Sequence, residues 1–186
     1  MVTYRWMDPE ELYRLAELDR FGRIRVGYRM DGDQLLEMEV EWDTSNWLQH
    51  GENEHTVSHQ IAFCQSHLDA GGRVLGAFEH DKLVGIGLLR PDLRPSMAQL
   101  AYLHVSHAHR RRGIASRLCS ELEAEARRMG NGHMYVSATP SGSAVGFYTR
   151  QGFEPVQDPI PELWEAEPED IHMSKVIDSD TLSPGS

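Results

Sequence analysis

Cysteine is scarce in this chain, with only Cys64 and Cys119 among 186 residues. Two thiols so far apart make no disulfide framework. Each falls within an apolar helical pattern and reads as a small buried residue in a reducing compartment. Long apolar runs are also missing. No stretch nears the roughly 18–20 residues of a membrane helix. Met1-Val2-Thr3-Tyr4-Arg5-Trp6 lacks the apolar centre and cleavage site of a signal peptide. The expectation is a cytoplasmic chain with no membrane partner. Positive charge is short as well: 18 Lys and Arg against 29 Asp and Glu leave a net charge of −11. Nucleic-acid binding relies on a basic footprint that releases counterions, so no nucleic-acid partner is expected. A negative field suits a cationic partner, and serves solubility equally well.

What is present is alternation of helical and strand periods without repeats. Asp8-Pro9-Glu10-Glu11 has the N-cap, the first-turn proline and the acids of a helix start, followed by Leu12, Leu15, Ala16 and Leu18. Residues 34–42 alternate strictly, Leu36, Met38, Val40 and Trp42 against Glu37, Glu39 and Glu41, which predicts a half-buried strand with an acidic face. Residues 43–56 carry no period and read as a loop. A helix is predicted over 57–68, a hairpin over 74–78 and 83–88 with its turn at His80-Asp81-Lys82, and a strand over 97–105. Then follow a helix over 113–129, a strand over 135–138, a short helix over 144–150 and a last strand over 173–177. The polar tail 178–186 predicts disorder. The order α β α β β β α β α β predicts a mixed α/β domain over residues 1–177, a mostly antiparallel sheet flanked by helices. The unit at 97–138 is the exception and should be parallel.

The junction inside that unit carries the chemistry. Val105-Ser106-His107-Ala108-His109-Arg110-Arg111-Arg112-Gly113-Ile114-Ala115 joins an apolar strand to the long helix. A helix start presents N–H groups without internal partners, and the dipole adds partial positive charge there. Glycine lets that backbone approach an anion closely, so the turn can cradle a pyrophosphate with a cationic rim. No Asp or Glu occurs in this helix before Glu121, as an anionic ligand would require.

Arg110-Arg111-Arg112-Gly113-Ile114-Ala115 resembles the Gln/Arg-x-x-Gly-x-Gly/Ala signature of the GNAT acetyltransferase superfamily. Ala144-Val145-Gly146-Phe147-Tyr148-Thr149-Arg150-Gln151-Gly152-Phe153 is similar to that family's Ala-x-x-Phe-Tyr-x-x-x-Gly-Phe segment. The two stand in the family's order, one helix and one strand apart, and the resemblance covers roughly residues 74–155. It implies an acyl-CoA N-acyltransferase fold and an enzyme that moves an acetyl group from acetyl-CoA, its cosubstrate, to a primary amine of a small molecule or peptide by direct transfer. It implies that the backbone of Leu103, His104 and Val105 bonds the pantetheine arm like an added strand. Arg110, Arg111, Arg112, Gly113, Ile114, Ala115 and Ser116 would hold the pyrophosphate. Tyr148 would be the general acid that protonates the leaving thiolate. A backbone N–H near Val105 would polarise the thioester carbonyl. Family members are often homodimers, although no segment here marks an interface.

Two positions depart from the pattern. Where some relatives carry a Glu base, this chain has Gln99, which cannot titrate. Substitutes are Glu37, Glu39, Glu41, Asp43, His104 and Tyr102, with none singled out. Ser141 stands where many members have an Asn that contacts the CoA arm. These departures motivate an alternative, a non-catalytic acyl-CoA-binding or regulatory module. Of ten histidines, His104, His107 and His109 lie close together, but their spacing does not converge without Cys or acid partners, so no metal is expected. Trp42 and Trp47 fall where such folds line the acceptor pocket; core packing fits Trp42 equally well. Glu162, Glu165, Glu167, Glu169 and Asp170 read as a solvated acidic loop or as a lure for a cationic acceptor amine.

Overall fold

The computed structural model describes residues 1–48 and 55–177. The expected tail at 178–186 and part of the expected loop at 43–56 lie outside the described residues. The main sheet has seven strands: β1 (Val2–Met7), β4 (Arg73–Glu79), β5 (Lys82–Arg94), β6 (Met97–Val105), β7 (His133–Ala138), β9 (Ile171–Val176) and β8 (Glu154–Pro155), in that spatial order. Every ladder is antiparallel except β6 with β7, as the central unit predicted. A separate hairpin, β2 (Gly22–Asp31) and β3 (Gln34–Thr44), precedes helix α1 (Val57–Asp69). Helices α2 (Ile114–Arg128), α3 (Gly142–Arg150) and α4 (Pro161–Ala166) follow.

Sequence periodicity missed β1, β2, β8 and α4. In β1 the side chains alternate, but only Met7 is fully buried; in β2 only Gly22 and Gly27 are. Strands that bury so little leave a weak apolar signal. The expected first helix forms as a 3-10 helix over Pro9–Glu17, and the Asp8 N–H donates to the Glu11 carboxylate at 3.2 Å as its start signals imply.

The sheet is covered on both faces, which explains the unbroken apolar run of β5: its residues 83–89 are all buried. On one face α2 supplies Ile114, Leu118, Leu122 and Ala126. On the other, the 3-10 helix and α1 supply Leu12, Leu15 and Cys64. Full burial of a leucine is worth about 1.5–3 kcal/mol, so Leu118 and Leu122 do much to seat α2. Gly87 makes that approach possible: a Cβ there would sit 2.5 Å from Leu122 Cδ1. Both cysteines are buried and free, as their patterns predicted.

Candidate active site

Strands β6 and β7 pair only at Met97↔His133, Ala98↔Met134 and Gln99↔Tyr135. Beyond that point they diverge, although β6 stays on β5 as far as Val105 and β7 stays on β9 as far as Ala138. The β7-facing edge of residues 100–105 is therefore a strand edge left open inside a sheet. Within it the β5–β6 register jumps from Leu88↔Tyr102 to Leu89↔Leu100, so Ala101 has no partner. The bulge changes the facing parity. Ala98 and Leu100 pack in the α2 cluster, and so do Leu103 and Val105, while Tyr102 turns to the α1 side.

The gap opens into a cavity of about 650 Å³. Tyr102 and His104 of β6, Trp47 and Phe63 form one wall, and Thr139, Ala144, Tyr148 and Asp170 another. Trp47 is 7% exposed and stacks on Tyr102 at 6.3 Å. Trp42 does not line the cavity; it pairs with Ile24 in the hairpin. The acids Glu37, Glu39, Glu41 and Asp43 are exposed on that hairpin and do not line the cavity either. A second hollow of about 750 Å³ lies beside Arg25 and residues 37–41. It is walled by two strands of the hairpin alone and holds none of the motif residues.

Tyr148 is 7% exposed and packs edge-on against Phe147 and Phe153 at 5.2 and 5.5 Å. Burial raises its hydroxyl pKa, and the nearby Cys119 and Asp170 add to the rise. The phenol keeps its proton at every physiological pH, as a proton donor must. Ser141 caps α3 instead of pointing outward. Its Oγ accepts the Ala144 N–H at 3.2 Å, it is buried, and its backbone bridges Gly27 of β2. Its hydroxyl is committed to aiming the helix that bears Tyr148.

His104 is held neutral. Burial lowers its pKa to about 4, and its Nε2–H donates to the Asp19 carbonyl at 3.1 Å. The same carbonyl accepts the His107 N–H, and Ser106 Oγ accepts the Asp19 N–H. These bonds fasten the start of the turn between β6 and α2 to the chain before β2. The Tyr102 hydroxyl, also buried, has no hydrogen-bond partner among the described residues, nor does Gln99 Oε1.

In the turn itself Gly113 is the left-handed N-cap of α2, φ +78°, with nothing within 4 Å of a would-be Cβ. The first turn of α2 holds no acid. A free helix start behind an open glycine suits a pyrophosphate. The three arginines do not form one patch. Arg110 folds inward, its Nε–H on the Val105 carbonyl at 3.2 Å. Arg112 is paired with Glu79 at 2.6 Å, whose carboxyl it holds down at about 2 together with His109. Arg111 is exposed, with φ +59° and no side-chain partner among the described residues. No group of three metal-ligating side chains occurs among the described residues.

Asp170 is set apart from the other acids of its stretch. It ends an exposed loop, residues 167–169, but is itself partly buried and lines the cavity. The Glu167 carbonyl accepts both the Asp170 N–H at 3.2 Å and the His172 Nε2–H at 3.1 Å. His172 Nδ1 in turn accepts the Tyr135 hydroxyl at 2.9 Å, and that oxygen accepts the Ile160 N–H at 3.2 Å. This chain of bonds clamps the approach to β9 against β7. The carboxylate of Asp170 has no ion pair or hydrogen bond among the described residues. Burial first, and then Glu167, raise its pKa to about 7. The only sequence trace of this was an acid directly before an apolar strand, and the pairing of that strand with β7 was not legible.

The profile of the acetyltransferase (GNAT) family matches residues 33–153, and the chain belongs to that family. No curated protein matches it. Among solved structures it is similar to nourseothricin acetyltransferase, with 17% identity and a TM-score of 0.71, over 95% of this chain and 99% of that one. A Bacillus anthracis str. Ames protein, provisionally named a streptothricin acetyltransferase and solved with acetyl coenzyme A, shares 13% identity at a TM-score of 0.69, over 94% and 96%. The PaiA N-acetyltransferase of Thermoplasma acidophilum, solved with coenzyme A, shares 18% at 0.61, over 95% and 99%. At these identities the likeness establishes the shared fold.

Proposed function

We propose that the chain is a cytoplasmic N-acetyltransferase that moves the acetyl group of acetyl-CoA directly to a primary amine of a small cationic molecule or peptide. The observation that carries this reading is the parting of β6 from β7 beside a buried, protonated Tyr148. An open strand edge accepts a pantetheine arm by backbone hydrogen bonds from Leu103, His104 and Val105. The N–H groups of residues 111–116 receive the pyrophosphate, and the exposed Arg111 adds charge at their rim. A thioester so placed has its carbonyl against β6, where a backbone N–H polarises it. Its sulfur falls beside Tyr148, which donates the proton as the C–S bond breaks. Two of the similar structures are named for nourseothricin and streptothricin acetylation, and the net charge of −11 favours a cationic acceptor.

Calorimetric titration with acetyl-CoA, on the native chain and on Gly113→Glu, tests the cradle. Thiol release is then followed across amines that include streptothricin. Binding by the native chain alone, with release in the presence of an amine, is the expected result; binding to neither protein sinks the reading. Gln99 in place of an acid favours one rival, a non-catalytic acyl-CoA-binding module, which predicts binding with no release for any amine.

A further inference from the structure

We propose that Asp170 is the general base of this site and the anchor for the acceptor's amino group. The inference rests on the acetyltransferase reading above. Strand β6 offers no carboxylate, the acids of β3 lie outside the cavity, and His104 is locked neutral with its Nε2–H on a carbonyl. Asp170 lines the cavity with Tyr148, one residue before the Ile171↔Ala138 pair that ends the splayed strand β7. Its position is built: two hydrogen bonds to the Glu167 carbonyl, backed by His172, Tyr135 and Ile160, hold the loop. Its carboxylate is left without a partner among the described residues. Tyr102 lines the same cavity through its ring, its hydroxyl being buried. An unused carboxylate facing the cavity defines one end of a ligand, an ammonium at Asp170. The acceptor class is a primary amine with a flat or apolar body to lie along Trp47 and Phe63.

The proton balance closes. An acceptor that arrives as an ammonium ion first gives one proton to solvent through the carboxylate. The amine nitrogen then bonds to the thioester carbon, and its remaining excess proton passes to Asp170. The C–S bond breaks, and the thiolate takes the Tyr148 proton. Asp170 returns its proton to the Tyr148 phenolate through water, so amine and acetyl-CoA yield amide and CoA thiol. A carboxyl that titrates near 7 is a better base for this than an ordinary one. Burial and Glu167 on its own loop set its titration, and the other titratable residues lining the same cavity are Glu169, Tyr148, Tyr102, His104, Arg20, His55 and His59.

The test compares native chain, Asp170→Asn and Asp170→Ala in thiol release from acetyl-CoA, with streptothricin and lysine amide as strongly basic acceptors and hydroxylamine as a weakly basic one. Expected are acetyl-CoA affinity within about twofold of native and turnover of the basic amines reduced by about 10²–10⁴. Hydroxylamine should lose far less. Loss of the rise in rate through about pH 7 is also expected, with partial recovery of Asp170→Ala by added formate. Native-like turnover and pH profile in Asp170→Asn overturn the assignment while leaving the acetyltransferase reading intact. A native chain that binds acetyl-CoA and releases no thiol with any of these amines overturns both.

Discussion

Gln99 of β6 and Tyr135 of β7 are the last residues at which the two central strands are paired. Past them each strand keeps its outer neighbour and loses its inner one, so the sheet itself opens the slot. No loop has to move to make it. Tyr135 also carries the hydroxyl that, through His172, holds the Glu167 carbonyl. The point where the strands part is thus bonded to the loop that forms the far wall of the cavity.

Tyr148→Phe removes the hydroxyl and keeps the ring that Phe147 and Phe153 contact. Volume-conserving changes of this kind cost under about 1.5 kcal/mol of stability. Acetyl-CoA affinity should be unchanged and turnover should fall about 10²-fold or more. Calorimetry and thiol release on the same preparation check both halves. Full turnover in the variant at every pH would remove Tyr148 from the reaction.

The phosphate turn yields a graded series. Gly113→Ala meets no atom but must hold φ at +78°, which costs about 1 kcal/mol. It should unfold at a lower temperature and bind acetyl-CoA more weakly. Arg111→Ala should weaken binding and reduce its dependence on salt, because Arg111 is the exposed arginine with no acidic partner. Arg112→Ala should cost less affinity, since Glu79 already neutralises that side chain. Titrations at two salt concentrations separate the cases; equal effects for Arg111 and Arg112 would mean that Glu79 releases its partner when ligand binds.

Much of this was legible in the sequence. The long buried strand β5, the helix α2 and the glycine turn announce themselves because each buries a full apolar face or needs a special φ. β1 and β2 were missed because most of their residues stay partly exposed. The arginines looked equivalent as a run of three; a carbonyl, a carboxylate and solvent tell them apart. Asp170 was hidden for another reason. Its setting depends on contacts between residues far apart in the chain, Tyr135 with His172 on one side and with Ile160 on the other, and local period carries no trace of them.

Both thiols should be inert in the native state. Burial pushes Cys64 and Cys119 up to about 12, so almost no thiolate exists at pH 8, and the thiolate is the reactive form. A chromogenic disulfide reagent at pH 8 should count no thiols on the native chain and two after denaturation. A fast-reacting thiol in the native protein would contradict the packing of α1 or α2.

Asp170 should also be a weak point in stability, with a definite sign. Its folded pKa of about 7 lies above the model-compound value of 3.8. Below both values the carboxyl is protonated in folded and unfolded chains alike and costs nothing. As pH rises from 4 to 7 the unfolded chain ionises first, so the folded state loses stability, and above 7 the loss is complete. The full shift sets a ceiling of about 4 kcal/mol. Partial exposure of the side chain lets water screen much of that, leaving about 1–2 kcal/mol. Asp170→Asn carries no charge and escapes the loss. Its melting temperature should therefore exceed the native one by roughly 2–8 °C at pH 8, and the gap should close as pH falls towards 4. Thermal melts by circular dichroism at dilute concentration across that range measure it. A variant both more stable and less active at pH 8 is what a carboxylate held unpaired for a substrate amine predicts. A variant less stable at pH 8 would mean that Asp170 serves the fold.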